Sequence, residues 1–283
     1  LNPPAIHGIF IVSATVGGAV KAQGAIVLLP RDSTGKKGWD TMQSIEIRRT
    51  VVSALVVAVI GLSLLIGFGG CPRPQAAPRH ALMVYSDYQP DLQPLGDYLQ
   101  AHNLTVSYCN FDALPASYKQ YGVIVIGPDT NNATAEQVAA LDASGKPMIG
   151  IGIGGYECFG ELGLEVGFPH GAHSSTGYRL RVQTADSPVF TTPNDFDAVS
   201  GVGIPVYEEE HQPGWVGIYV GGAPLDDSVT ILATTPESWG YSPFIVQDNH
   251  YILWGFYELD HISDDGYKLF DNAVEYLLKQ KRS

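Results

Sequence analysis

The chain has 283 residues, 45% apolar and 16% charged, with 32 Gly, 19 Pro and three Cys. This is too apolar for a disordered chain and too poor in cysteine for a disulfide scaffold. The net charge of −13 is concentrated in residues 72–283, which carry ten Lys+Arg against 26 Asp+Glu; so acidic a body repels phosphate backbones, which argues against nucleic acid as a partner.

Residues 1–71 are slightly basic, with six Lys+Arg against three Asp+Glu. The first methionine is Met42, six residues before Arg48-Arg49. Residues 1–41 therefore read as upstream read-through or as an extension, the latter because residues 5–30 are apolar enough for strands. Residues 42–71 have the layout of a signal sequence or membrane anchor: a basic pair, an uncharged run over 50–70, then small residues. Twenty-one helical residues rise about 30 Å, enough to cross a hydrocarbon core. The run ends in Phe68-Gly69-Gly70-Cys71, which resembles the lipobox of bacterial lipoproteins and implies a lipid on Cys71. Phe68 stands where that pattern usually has Leu. Three readings stay open: a lipidated Cys71, an uncleaved anchor, or a buried helix. The first two place the body outside the cytoplasm, tethered to a membrane. Residues 72–80 follow as a Pro-rich linker.

From residue 81 the chain alternates strand and helix patterns. Residues 81–86 form an apolar, β-rich run, and Leu92, Leu95, Tyr98 and Leu99 recur at helical spacing. Residues 105–109 and 121–126 read as strands. Thr134 is the predicted N-cap of a helix carrying Val138 and Leu141, and residues 148–153 read as a further strand. This alternation predicts an α/β fold: a parallel sheet with right-handed crossovers and helices on both faces, preceded by one N-terminal apolar helix. Beyond it, residues 178–183, 215–220, 229–234, 244–247 and 251–257 are strand candidates. Residues 264–281 close the chain as a helix capped by Ser263.

Residues 147–163, PMIGIGIGGYECFGELG, describe a strand entering a Gly-rich turn and then a helix. This segment resembles the nucleophile elbow of class I glutamine amidotransferase-like domains. Residues 252–277 resemble that superfamily's terminal strand, loop and helix, so the resemblance spans roughly residues 81–283. Catalytic members carry Gly-x-Cys-x-Gly at the elbow and a late His-Pro-Glu. Here Gly152 stands at the Cys position, Leu259 at the His and His261 at the Glu. A glycine has no thiolate and a leucine accepts no proton, so the resemblance implies a non-catalytic relative. The alternative enzyme shifts the elbow by six residues to Cys158, with His261 or His250 as base. With the strand ending at 153, Cys158 falls about one turn into the helix, away from an exposed elbow. The resemblance implies a flavodoxin-like parallel sheet of order 2-1-3-4, in which the strand ends of Cys109 and Cys158 lie roughly 14 Å apart, so a disulfide between them is not expected.

A pocket is expected at the carboxyl ends of the strands, where open α/β sheets bind ligands. Gly152, Gly154, Gly155, Tyr156, Glu157, Asp87, Asp129, His170 and His173 are its candidate lining. Tyr207, Trp215, Trp239 and Tyr241 could add an aromatic rim suited to a sugar, with core packing as the plainer use of each. The glycines follow the fourth strand and not the first, so they do not make a dinucleotide fingerprint, and no cofactor is expected. His170-Gly171-Ala172-His173 and Glu208-Glu209-Glu210-His211 match no standard metal spacing, and no metal is expected. Asn103-Leu104-Thr105 and Asn132-Ala133-Thr134 read as chance matches to a glycosylation pattern. Three functions remain: a tethered, non-catalytic domain binding a small molecule, glycan or protein; a hydrolase or amidotransferase using Cys158; or a structural envelope lipoprotein.

Overall fold

The computed structural model describes residues 10–16, 20–26, 79–174, 177, 179–197, 201, 203–208, 214–236 and 240–280. The apolar run 50–70, Cys71, the linker up to residue 78, Glu209, Glu210, His211, Trp239 and the side chain of His173 lie outside the described residues. Among the described residues no helix is long and apolar enough to cross a membrane.

The chain divides into two units, residues 1–73 and 74–283. In the first, β1 (Phe10–Val16) and β2 (Val20–Ile26) pair antiparallel. The second unit contains β3 (His80–Tyr85), α1 (Gln93–Ala101), β4 (Thr105–Asn110), β5 (Val123–Ile126), α2 (Ala135–Ala143), β6 (Met148–Ile151) and α3 (Gly152–Glu161). It continues through β7 (Gly171–Ser174), β8 (Arg179–Val182), β9 (Gly203–Pro205), β10 (Trp215–Tyr219), β11 (Val229–Thr234), β12 (Tyr241–Ser242), β13 (Phe244–Gln247), β14 (Tyr251–Trp254) and α4 (Asp264–Lys279).

Nine strands form one sheet of order β4-β3-β5-β6-β14-β13-β11-β8-β9. The first four have the predicted 2-1-3-4 order and run parallel, and β14 joins them parallel to β6. Each strand splits its side chains between two cores. Ala81, Met83, Val123, Val125, Ile149 and Ile151 face the core under α1 and α4. Leu82, Val84, Ile124, Ile126 and Met148 face the core under α2 and α3. Burial on both sides explains why β5 is a continuous apolar VIVI and shows no alternation. The fold is thus the expected α/β sandwich with helices on both faces.

The caps hold as well. Thr134 and Gln137 form a reciprocal capping box, and Ser263 Oγ accepts the Gly266 N–H at 3.0 Å.

Three features differ from the sequence expectation. The sheet is mixed, because β13, β11, β8 and β9 run antiparallel beyond β14. Asp248 and Asn249, both with left-handed φ (56° and 52°), turn β13 back into β14, and the His250 N–H closes the turn on Gln247 O at 2.9 Å. The strand expected over 148–153 ends at Ile151, and the one expected over 251–257 ends at Trp254. There the chain leaves the large sheet for β10: the Val216 N–H donates to Gly255 O at 2.9 Å, and Trp215 bridges Phe256. β10 itself lies between β7 and β12 in a separate three-stranded sheet.

The loop following β8 is tied to α4 by a buried amide. Asn272, fully buried, donates to Val189 O at 2.8 Å and Asn194 O at 2.7 Å, and accepts from the Asn194 N–H at 2.8 Å. Removing it strands one buried and two half-buried backbone groups. Asn272→Ala is therefore expected to cost roughly 3 kcal/mol, read as a lower denaturant midpoint at unchanged m-value.

Candidate functional site

The strand-to-helix turn after β6 is built from glycines that allow backbones to touch. A Cβ on Gly155 would stand 2.1 Å from the carbonyl carbon of Gly150, and one on Gly154 would stand 2.3 Å from Gly127 O. The Gly154 N–H donates to Pro128 O at 3.1 Å. Gly152, at the turn itself, has φ +55°, the sharp left-handed geometry that an elbow nucleophile adopts. The space a side chain there would need is taken: its Cβ would lie 2.3 Å from Cβ and 3.2 Å from Cα of Tyr257. The turn keeps an elbow's backbone while the chain following β14 closes over it.

Cys158 lies six residues further on. It is the seventh residue of α3, about 9 Å along the axis from Gly152, and deeper in the helix than the one turn expected because the strand is shorter. Its side chain is 1% exposed, with Sγ 3.6 Å from Thr130 Oγ1 and 3.8 Å from Thr130 O. Burial pushes its thiol up to about 12, so the nucleophilic thiolate is suppressed. The two candidate bases are far from each other. His250 precedes β14 and its carbonyl accepts the Met148 N–H at 2.8 Å, whereas His261 follows β14 on the turn Leu259–His261, with Nε2 3.4 Å from Asp260 Oδ2. Leu259 is buried in the core under α4. Cys109 and Cys158 are both free thiols.

The residues expected to line one pocket divide between two places. Asp129 stays at the carboxyl ends of the strands, where its Oδ2 accepts the N–H groups of Ser86, Asp87 and Tyr88 at 3.1, 2.8 and 2.9 Å. It fixes the loop after β3, leaving Asp87 exposed beside it. Asp91 and Asp260, which the sequence reading missed, join this edge: burial, then Asp129, then Asp260 raise the Asp91 carboxyl above its ordinary range. Tyr156, Glu157 and His170 belong elsewhere. Tyr156 and Glu157 ride on α3, and the Tyr156 hydroxyl accepts the Gly171 N–H at 2.9 Å. His170 lines a cleft of about 390 Å³ with Glu165, Pro169 and Tyr219. The backbone of His173 pairs with Val216 in the small sheet.

Two members of the expected aromatic rim are core residues. Tyr207 and Trp215 are buried, with Tyr207 edge-on to Phe256 and its hydroxyl accepting the Glu258 N–H at 3.2 Å. Tyr241 is half-buried and links Trp215 to the exposed Tyr219, with ring centroids 6.3 and 5.2 Å away. Tyr219 closes a strand whose other four residues are all buried, and nothing in the sequence pattern WVGIY marks it as the exposed one. Among the described residues no group of three or more His, Cys, Asp or Glu side chains is arranged to hold a metal ion.

No protein-family model matches the chain, and no curated protein matches it. Solved structures do. A ThuA-like protein from Bacteroides uniformis is 14% identical with a TM-score of 0.50, over 74% of this chain and 95% of its own. The likeness is one of fold. PurLQS from Thermotoga maritima is 16% identical at a TM-score of 0.47, over 71% of this chain and 99% of its own. A glutamine amidotransferase from the same organism is 10% identical at 0.44, over 71% and 98%.

The acidic edge has a pH signature. Asp91 binds its proton more tightly folded than unfolded, so its charge opposes folding above its raised pKa and is silent below about pH 4. Asp91→Asn is expected to melt above the wild type at pH 7. The gap should close as the pH falls toward 4; a gap independent of pH in thermal melts would contradict the assignment.

Proposed function

We propose that this chain is a binding domain built on the amidotransferase-like α/β fold without its cysteine chemistry. It is tethered to a membrane through residues 50–70 or a lipid on Cys71, with the acidic body outside the cytoplasm, and takes a small molecule, a glycan or a protein partner. The observation that carries the reading is Tyr257 lying across Gly152, which leaves no room for a nucleophile at the elbow. The burial of Cys158 supports it, since burial favours the thiol over the nucleophilic thiolate there. The tether rests on the basic pair, the apolar run and the lipobox-like residues 68–71.

The first test is alkylation of Cys158 against pH, with half-buried Cys109 as internal control. Cys158 is expected to react only in denaturant, while Cys109 reacts in the folded protein. Rapid modification of native Cys158 with an apparent pKa well below about 8.5 would restore the enzyme reading, as would glutaminase activity of the full chain. The tether is tested by mass spectrometry of the protein expressed in a bacterium. An acylated peptide starting at Cys71 is the lipoprotein outcome, and membrane-bound chain retaining residues 50–70 is the anchor outcome. Unmodified protein in the soluble fraction would refute both.

A further inference from the structure

The cleft beside β7 and β10 is separate from the elbow. Its lining starts at Glu165, in the chain that follows α3, and includes none of the glycines of the turn and not Tyr257. We propose that this cleft is a saccharide-binding site, taking one or two pyranose rings. The inference rests on the reading of the chain as a binding domain and names a place and a ligand class for it.

Tyr219 is the platform. It is 48% exposed, one of three large apolar side chains so exposed among the described residues. An exposed ring on a flexible tip would be a poor binding surface, but this one is held. A Cβ on Gly221, Gly222 or Gly240 would come within 3.2, 2.9 and 3.3 Å of the ring, so bare backbone packs against it, and Tyr241 braces it at 5.2 Å. The Tyr219 N–H donates to His170 O at 2.8 Å, and Gly171 is anchored to the Tyr156 hydroxyl at 2.9 Å. The spacing of Tyr219 and His170 is thereby set by the fold, which keeps the ordering cost of binding low.

The polar groups suit hydroxyls. Glu165 Oε2 accepts the Asp226 N–H at 2.9 Å, and its other oxygen has no protein partner among the described residues. The exposed His170 ring likewise has none, and an imidazole can donate at one nitrogen and accept at the other. Pro169, Pro224 and Leu225 complete an apolar wall. A sugar ring offers an apolar C–H face for the tyrosine and a rim of hydroxyls that both donate and accept, which matches this set. The volume of about 390 Å³ is at the small end of ligand pockets. Anions are disfavoured by Glu165 within so acidic a body. A cation would meet one aromatic ring and one half-used carboxylate, less than a cage.

The test is isothermal titration of the full chain with glucose, galactose, N-acetylglucosamine, maltose, cellobiose and chitobiose, with tetramethylammonium as the cationic probe. Saturable binding of at least one sugar is expected, weakened at least tenfold in Tyr219→Ala and in His170→Ala and kept within about twofold in Tyr219→Phe. His170→Ala removes an exposed side chain, so it reports even if Tyr219→Ala unfolds. Three results overturn the proposal: no sugar binds, sugar binding survives both alanine variants, or tetramethylammonium alone binds. Those results leave the binding-domain reading standing, whereas glutaminase activity would overturn that reading and leave the cleft untouched.

Discussion

The structure depends on how closely α3 lies against β6. Gly155 rests directly on Gly150 and Gly154 on Gly127, at separations where one methyl group would overlap backbone atoms. Dispersion and hydrogen bonding at such range require bare backbone, so the run of glycines is a packing device before it is anything else. With α3 so close, Cys158 and Phe159 go into the core beneath it, and Tyr156 reaches the start of β7.

The same closeness decides the chemistry of the turn. Gly152 retains the left-handed backbone an elbow needs, but α3 and the segment after β14 meet there with no room for a side chain. Cysteine catalysis at such an elbow needs an exposed thiol at the turn and a base within hydrogen-bond reach. This chain has a glycine at the turn, a buried thiol two turns along the helix, and histidines at opposite ends of β14.

What remains at the carboxyl ends of the strands is a negatively charged edge. Asp129 spends one oxygen on three backbone N–H groups, which secures the loop after β3. Asp91 and Asp260 add charge without countercharge that would lower the Asp91 carboxyl. Tyr219, His170 and Glu165 gather instead in the cleft whose lining lies in the chain after α3. Acidic edge and aromatic cleft share no residue: none of Asp87, Asp91, Asp129 and Asp260 lines the cleft.

Much of the fold was legible in the chain itself. Local signals are short-ranged and physical: an apolar run marks a doubly covered strand, Thr134 and Ser263 mark helix starts, and alternation of strands and helices implies parallel crossovers. The antiparallel half was less legible, because Asp248 and Asn249 adopt left-handed φ without a glycine to announce it. The site was read in part. The sequence placed Gly152 at the turn, but not Tyr257 over it, since the two are about a hundred residues apart and meet only when β14 pairs with β6. Asp129 and His170 were expected to line one pocket, but the cleft that His170 lines does not include Asp129. The sequence by itself determined the kind of each element in the parallel half and the absence of a cysteine at the elbow, but not the short strands β7, β9 and β12. Which side chains share a surface was decided by tertiary structure, because that depends on sheet order and on the distance of closest approach between backbones.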